Sequence, residues 1–144
     1  MKNLVILGAG TGGTMMLNKL HKALDLSRWR LTIVDNEKTH YYQPGFLFIP
    51  FGVYNESDVV KPKVKFFPEG MNMINSEIWK VIPEYNKVHL DNGITLDYDI
   101  LIIATGSKIA PEETEGLTGK LWKKDIFDFY TLDGAKALAE KFKT

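Results

Sequence analysis

Three glycines in the turn GAGTGG, Gly8, Gly10 and Gly13, follow the apolar run Lys2 to Leu7 and stand in G-x-G-x-x-G register. Such glycines have separate physical uses, namely the tight turn itself, close approach of a pyrophosphate to the backbone, and close packing of a helix against a strand. Exposed N–H groups at the start of the following helix would face the anion. A carboxylate completes the set. Asp35 lies 22 residues after Gly13, close to the spacing of about 20 at which an acid reaches the ribose hydroxyls of a bound adenosine. Pyrophosphate and ribose together point to a dinucleotide. An acid at that position disfavours a 2′-phosphate, so NADP fits least well.

These residues need a strand, a turn, a helix and a second strand in order. KNLVIL supplies the first strand. Thr14 to Leu26 supplies the helix, with Met16, Leu20, Ala23 and Leu24 spaced as one helical face. RLTIVD, Arg30 to Asp35, supplies the second strand and ends in the acid. A plain NAD-binding half would continue with another helix and a third parallel strand. Instead comes HYYQPGFLFIPFG, His40 to Gly52, six aromatic rings in a run whose glycines and prolines argue against a regular helix or strand. Asn55 to Pro62 then carries Glu56, Ser57 and Asp58 as helix-start or turn residues. Ile78 to Ile82 and Lys87 to Leu90 read as strands, and Asp91-Asn92-Gly93 is a hairpin signal leading into Ile94 to Leu96. Tyr98 to Ala104 is a continuous apolar run of the kind a strand buried on both faces requires, closing in Thr105-Gly106. Leu132 to Phe142 reads as a helix with Leu138 and Phe142 on one face.

Composition narrows the function classes. The 18 basic and 18 acidic residues balance to a formal charge of zero, so the chain lacks the electrostatic footprint of a nucleic-acid binder. No apolar run approaches the roughly 20 residues of a bilayer-spanning helix, and no signal peptide precedes the glycine turn. Cysteine is absent, which removes disulfides, thiolate metal sites and thiol catalysis from these 144 residues. His21, His40 and His89 have no ligand-like spacing, and no metal site is expected from them. Trp29, Trp79 and Trp122 are read as packing residues, Met15 and Met16 as helix packing on the sheet, and Lys61, Lys63 and Lys65 as a solvated edge.

The combination of VILGAGTGG, a β-meander and DYDILIIATGS resembles the FAD-binding part of the pyridine nucleotide-disulfide oxidoreductase superfamily. Within it, THYYQPGFLFIPFG and YTLDGAKAL resemble the sulfide:quinone oxidoreductase family, with type II NADH:quinone oxidoreductases as near relatives. The resemblance implies an α/β fold, a Rossmann-like FAD-binding domain with a parallel sheet and an inserted antiparallel β-meander, over residues 1–144. It implies FAD as cofactor, with Gly8, Gly10 and Gly13 at the pyrophosphate and Asp35 at the adenosine ribose. Ile78 would meet the adenine through its backbone, Thr105 and Gly106 would turn beside the flavin end, and Gln43 and Pro44 would lie near the isoalloxazine ring. Sulfide would be the electron donor and a quinone the acceptor. The alternatives are a type II NADH:quinone oxidoreductase-like flavoprotein and a non-catalytic FAD- or nucleotide-binding module or subunit.

The chain departs from that pattern in three ways. Sulfide oxidation in the family resembles thiol chemistry at a cysteine pair, and KKDIFDFY, Lys123 to Tyr130, where one such cysteine is expected, has none. A second glycine loop and the Gly-Asp motif of the closing FAD segment are also missing. The chain is therefore expected to be the N-terminal third or so of a longer enzyme and incomplete as a catalyst by itself. The family's C-terminal amphipathic segment, which would hold the enzyme to a membrane surface, is the third absence. A cytoplasmic or peripheral membrane location is expected, with self-association through exposed apolar surface as a further expectation.

Overall fold

Strand β1, Lys2–Leu7, alternates its side chains between two hydrophobic clusters, as the period of two in a strand dictates. Leu4 and Ile6 join one cluster with Ala9, Leu17 and Ile33, whereas Val5 and Leu7 join Val34, Val88 and Leu90 in another. The strand thus needs a cover on each face. Helix α1, Thr11–Ala23, supplies Leu17 to the first cluster, and an antiparallel meander supplies Val88 and Leu90 to the second. The computed structural model describes residues 1–143. They divide into two compact units, Met1–His40 with Pro62–Gly106, and Tyr41–Lys61 with the chain from Ser107 onward.

In the first unit β1 lies at the interior of a four-stranded parallel sheet. β2, Trp29–Asp35, pairs along one side of it, and at β2's far edge stands β5, Met73–Asn75, the strand after β3, Thr39–Tyr41, and β4, Val60–Pro62. β3 and β4, the outgoing and returning stretches of the chain, form a two-stranded sheet. The meander consists of β6, Ile78–Ile82, β7, Lys87–Leu90, and β8, Thr95–Asp97. Its first turn has Asn86 in the left-handed region, φ 51°, and its second uses Gly93. β9, Ile100–Ile103, returns to pair with β1, giving the order β5-β2-β1-β9. The fold class is that expected: α/β, with a parallel sheet and an inserted antiparallel meander.

Four local expectations need correction. α1 begins and ends three residues earlier than the apolar spacing suggests, because Gly10 is already its N-cap; of the expected face Met16, Leu20 and Leu24 pack on the core beside the buried Gly13, Thr14 and Leu17, whereas Ala23 is exposed. Met15 is 66% exposed and does not pack on the sheet, whereas Met16 does. β9 is an edge strand among the described residues, and its Ile103 is 65% exposed, so it is not buried on both faces. Trp79 projects from the meander at 72% exposure, with the His89 ring at its edge.

The second unit has its own small core of Phe46, Ile49, Val59 and Ala135. The run expected to be irregular contains a 3-10 helix over Gln43–Phe48, with Pro44 in its first turn, where a missing N–H costs nothing. A Cβ on Gly45 would press on the side chains of Val59 and Tyr42, so this glycine admits the turn against its neighbours. α2, Glu56–Val59, opens with a capping box in which Asn55 accepts from Ser57 N–H and Asp58 returns the bond to the Asn55 N–H. α3, Leu132–Lys141, starts at Thr131, whose hydroxyl accepts the Gly134 N–H and is itself held by Asp128. Phe142 is exposed and touches Phe51 rather than a core. No helix among the described residues is long and apolar enough to cross a membrane.

The layering sets the first prediction. Leu17→Ala should lower the unfolding free energy by about 2–5 kcal/mol, because it opens a cavity between α1 and the sheet. Met15→Ala, two residues away on the solvent side, should change it by less than about 0.5 kcal/mol. Urea titration of both variants checks the assignment of the buried face.

Candidate functional site

Parallel strands end at one edge of the sheet, and in open α/β sheets the crevice beyond the carboxyl ends of the strands is where ligands bind. Here β1, β2, β5 and β9 bring Gly8, Asp35, Ser76 and Thr105 to that edge, around a cleft of about 510 Å³. Asn36, Glu77, Ile78 and Val81 complete its other side, and Leu7 and Ile103 contribute apolar surface. Backbone bonds lock the rim: Gly8 N–H donates to Val34 O at 2.8 Å, Ala104 N–H to Leu7 O at 2.7 Å and Ser76 N–H to Asp35 O at 3.1 Å.

The three motif glycines meet different demands. Gly8 has φ +92°, and a Cβ there would run into the carbonyl of Ala104. A Cβ on Gly13 would collide with the carbonyl of Gly8, so α1 can start this close to β1 only with glycine. Both are required by the fold itself. Gly10 is different, since a Cβ there would meet nothing within 4 Å and its φ of −70° suits any residue. Packing does not ask for glycine at Gly10, which as N-cap meets only that position's modest preference for glycine over an aliphatic residue. The first N–H groups of α1, on Thr11, Gly12 and Gly13, have no intrahelical acceptor and no side-chain cap at that end.

Asp35 is the most heavily bonded side chain at the edge. Its Oδ2 accepts the Ala9 N–H at 2.6 Å and sits 2.8 Å from the Lys63 ammonium, and its Oδ1 accepts the Glu37 N–H at 2.8 Å. The two charged side chains are only 6% (Lys63) and 12% (Asp35) exposed. Burial pushes the Asp35 carboxyl up, but the Lys63 hydrogen bond, the two N–H donors and the Lys63 charge outweigh it and hold the group below the ordinary carboxylate range. His40, whose ring packs on Phe66 with centroids 4.6 Å apart, is pushed down by burial and by the Lys63 charge, so its neutral form is favoured.

The far side of the cleft is fixed by a second carboxylate. Asp91 Oδ1, in the hairpin turn, accepts the Ser76 hydroxyl at 2.5 Å and the Glu77 N–H at 3.2 Å. The Asn75 amide donates to Asp35 O and Asn36 O, so the strand ends are cross-tied before β6 begins at Ile78.

Of the residues named from sequence, Gly8, Asp35, Ile78 and Thr105 line the cleft together. Gly10 and Gly13 lie in the same turn and at the start of α1, and Gly106 follows Thr105 with φ +73°. Gln43 and Pro44 belong to the second unit, where the Gln43 amide donates to Tyr130 O at 3.1 Å and the Tyr130 hydroxyl donates to Ser107 O. Sequence reasoning misses Lys63. Its place among three alternating lysines suggests a solvated edge, yet it is buried against Asp35. The alternation that groups it with Lys61 and Lys65 fails because Lys63–Phe66 is a 3-10 helix rather than strand. Asn36, Ser76 and Glu77 also escape the sequence reading, and only the hairpin signal at Asp91 could have led to them.

The profile of the pyridine nucleotide-disulphide oxidoreductase family matches residues 2–144. Among curated relatives, a mitochondrial sulfide:quinone oxidoreductase of Dictyostelium discoideum is 28% identical over 98% of this chain and 31% of its own length. A type II NADH:quinone oxidoreductase of Staphylococcus haemolyticus is 30% identical over 96% of this chain and 33% of its own. The fold is also that of the sulfide:quinone oxidoreductase from Aquifex aeolicus, with TM-score 0.78 and 23% identity over 99% of this chain and 32% of that one. NDH2 from Plasmodium falciparum, solved with NADH, superposes with TM-score 0.71 and 22% identity over 98% of this chain and 28% of that one. The chain spans about a third of the length of the relatives it matches. Glycine turn, acid-tipped second strand, meander and returning strand thus agree with the match along nearly every residue, and the chain belongs to the pyridine nucleotide-disulphide oxidoreductase family.

Proposed function

We propose that this chain is the N-terminal FAD-binding part of a quinone-reducing flavoenzyme of the sulfide:quinone oxidoreductase type. The observation that carries the cofactor is Gly10, a glycine for which the protein's own packing has no use, set between an open helix start and a cleft containing a charged Asp35. A pyrophosphate approaching the backbone at Gly10 accounts for the missing side chain. Asp35 accepts a ribose hydroxyl of the adenosine, and Ile78 meets the adenine with its backbone. Thr105 and Gly106 flank the flavin end, and Gln43 and Pro44 are assigned to the isoalloxazine ring by the resemblance alone.

The flavin, when bound, supplies the hydride and electron transfer. This chain's residues bind and orient it: Asp91 holds Ser76 and Glu77 at the cleft wall, and Lys63 holds Asp35 ionised. With no cysteine among its 144 residues, this chain contributes cofactor binding to a sulfide enzyme and not the thiols. In the second unit, the exposed rings of Phe48 and Phe51 suit a hydrophobic acceptor such as a quinone. A second reading, electrons arriving from NADH, is favoured by the 30% identity to the staphylococcal type II NADH:quinone oxidoreductase. The two share the cofactor and differ in the donor.

Purified protein should carry, or take up on reconstitution, FAD with its yellow absorption. A protein that stays colourless with excess FAD would sink the cofactor assignment. Assays of quinone reduction with the polypeptide that contains this chain should proceed with sulfide and not with NADH; the reverse preference selects the second reading. Gly10→Val should abolish FAD binding while lowering the unfolding free energy of the apo protein by no more than about 1 kcal/mol, the cost of an aliphatic residue at an N-cap, because a Cβ there meets no protein atom. Equal loss of stability and of binding would return Gly10 to a purely structural role.

Ionisation of Asp35 gives a pH signature. Its folded carboxyl lies below the unfolded value of about 3.9, so its contribution is complete above that pH and is lost as the pH falls through the folded value. Asp35→Asn should therefore be less stable than the parent at pH 7, by about 3–5 kcal/mol for breaking a buried pair, with the gap closing below about pH 4. Denaturant midpoints at several pH values read this directly.

A further inference from the structure

We propose that Asp35 offers a bound adenosine a single acceptor position, so that the cleft distinguishes the two ribose hydroxyls; this rests on the dinucleotide reading above. An ionised carboxylate offers about four acceptor positions, two on each oxygen. Three are occupied within the protein: Oδ2 by the Ala9 N–H and the Lys63 ammonium, and Oδ1 by the Glu37 N–H. One position on Oδ1 is left for a ligand, and Asp35 lines the cleft where that ligand would lie. An unencumbered acid at the end of such a strand could take both hydroxyls of a ribose, one on each oxygen. Here the second oxygen is saturated.

Lys63 does not line the cleft and acts only through Asp35, which makes it a positioning residue. It reaches Asp35 from the first turn after β4, and its own backbone N–H is tied to Lys38 O at 2.9 Å, so the ammonium is delivered from a fixed point. Alternative uses of a buried lysine fit less well. Among the described residues it touches no second carboxylate, and its side chain is 6% exposed, too enclosed for a solvated anion contact.

Binding of ADP, 2′-deoxy-ADP and 3′-deoxy-ADP to the purified chain, measured by calorimetry, tests the count. One of the two deoxy compounds should bind roughly tenfold or more weakly than ADP, the loss expected for one hydrogen bond to a charged acceptor, and the other should match ADP. In Lys63→Met the position vacated on Oδ2 faces the buried side and not the cleft, so the same deoxy compound should stay the weaker one while ADP itself binds less tightly, Asp35 having lost the cation that keeps it charged; Lys63→Arg should keep the parent affinity. Equal affinities of both deoxy compounds in the parent protein, whether equal to ADP or equally weakened, would overturn the proposal while leaving the dinucleotide site in place. So would a folded Lys63→Met in which both deoxy compounds are weakened relative to ADP. If neither ADP nor FAD binds, the dinucleotide reading falls and this proposal with it. The parent protein alone reads the number of hydroxyls, so a variant that fails to fold leaves the question decided.

Discussion

The pair between Asp35 and Lys63 joins three parts of the first unit that are far apart in sequence: the glycine turn through Ala9, the end of β2, and the segment that returns after residues 41–61. An unpaired carboxylate so enclosed would be costly, and a lone buried ammonium equally so. Each is therefore tolerated only when the other arrives. The consequence is that the Asp35 end of the cleft cannot be assembled from the strand–turn–helix–strand motif by itself; it requires the chain to leave, form β3 and β4, and come back. A cleft whose residues look local in sequence depends on a contact 28 residues beyond its acid.

Steric demands divide the glycine motif in a comparable way. Gly8 and Gly13 are dictated by contacts to Ala104 and to each other, so they would be needed even in a protein that bound nothing. That is why a glycine-rich turn is weak evidence for a ligand until its members are separated. Gly10 carries the argument because the protein leaves its side open, and because the N–H groups beside it, on Thr11, Gly12 and Gly13, find no partner within the helix. Ser76 and Glu77 after β5, the strand β6 and the Asp91 turn that holds them then close the opposite wall, with one carboxylate organising each side of the cleft.

Much of this is legible in the sequence where the signal is local. The glycine register, the acid ending β2 and the Asp91-Asn92-Gly93 turn each act over a few residues, and each leads to the element observed. The capping residues around Asn55 behave likewise. What escapes is set by tertiary contacts. The apolar run Ile100–Ile103 reads as a doubly buried strand, but burial depends on a neighbour along its outer edge, which hydropathy does not reveal. Ala23 and Met15 lie outside the stripe of α1 that the sheet covers, and the apolar character of a residue does not by itself say how wide that covered stripe is. Lys63 is the largest miss, since a period of two does not hold across a stretch that winds as a 3-10 helix.

The aromatic run His40 to Gly52 shows how the same composition can answer two demands. Phe46 and Ile49 are buried with Val59 and Ala135, so half of its apolar character is accounted for by the core of the second unit. Phe48 and Phe51 are exposed, with Tyr54 and Phe142 respectively at their edges, and folding of that unit gives them little to do. The segment therefore cannot be assigned as a whole either to packing or to chemistry. Any functional claim on it must rest on the outward rings alone, whereas the cofactor claim stands on the cleft at the sheet edge, where a glycine without a packing reason and a carboxylate with one acceptor position to spare leave room for a ligand.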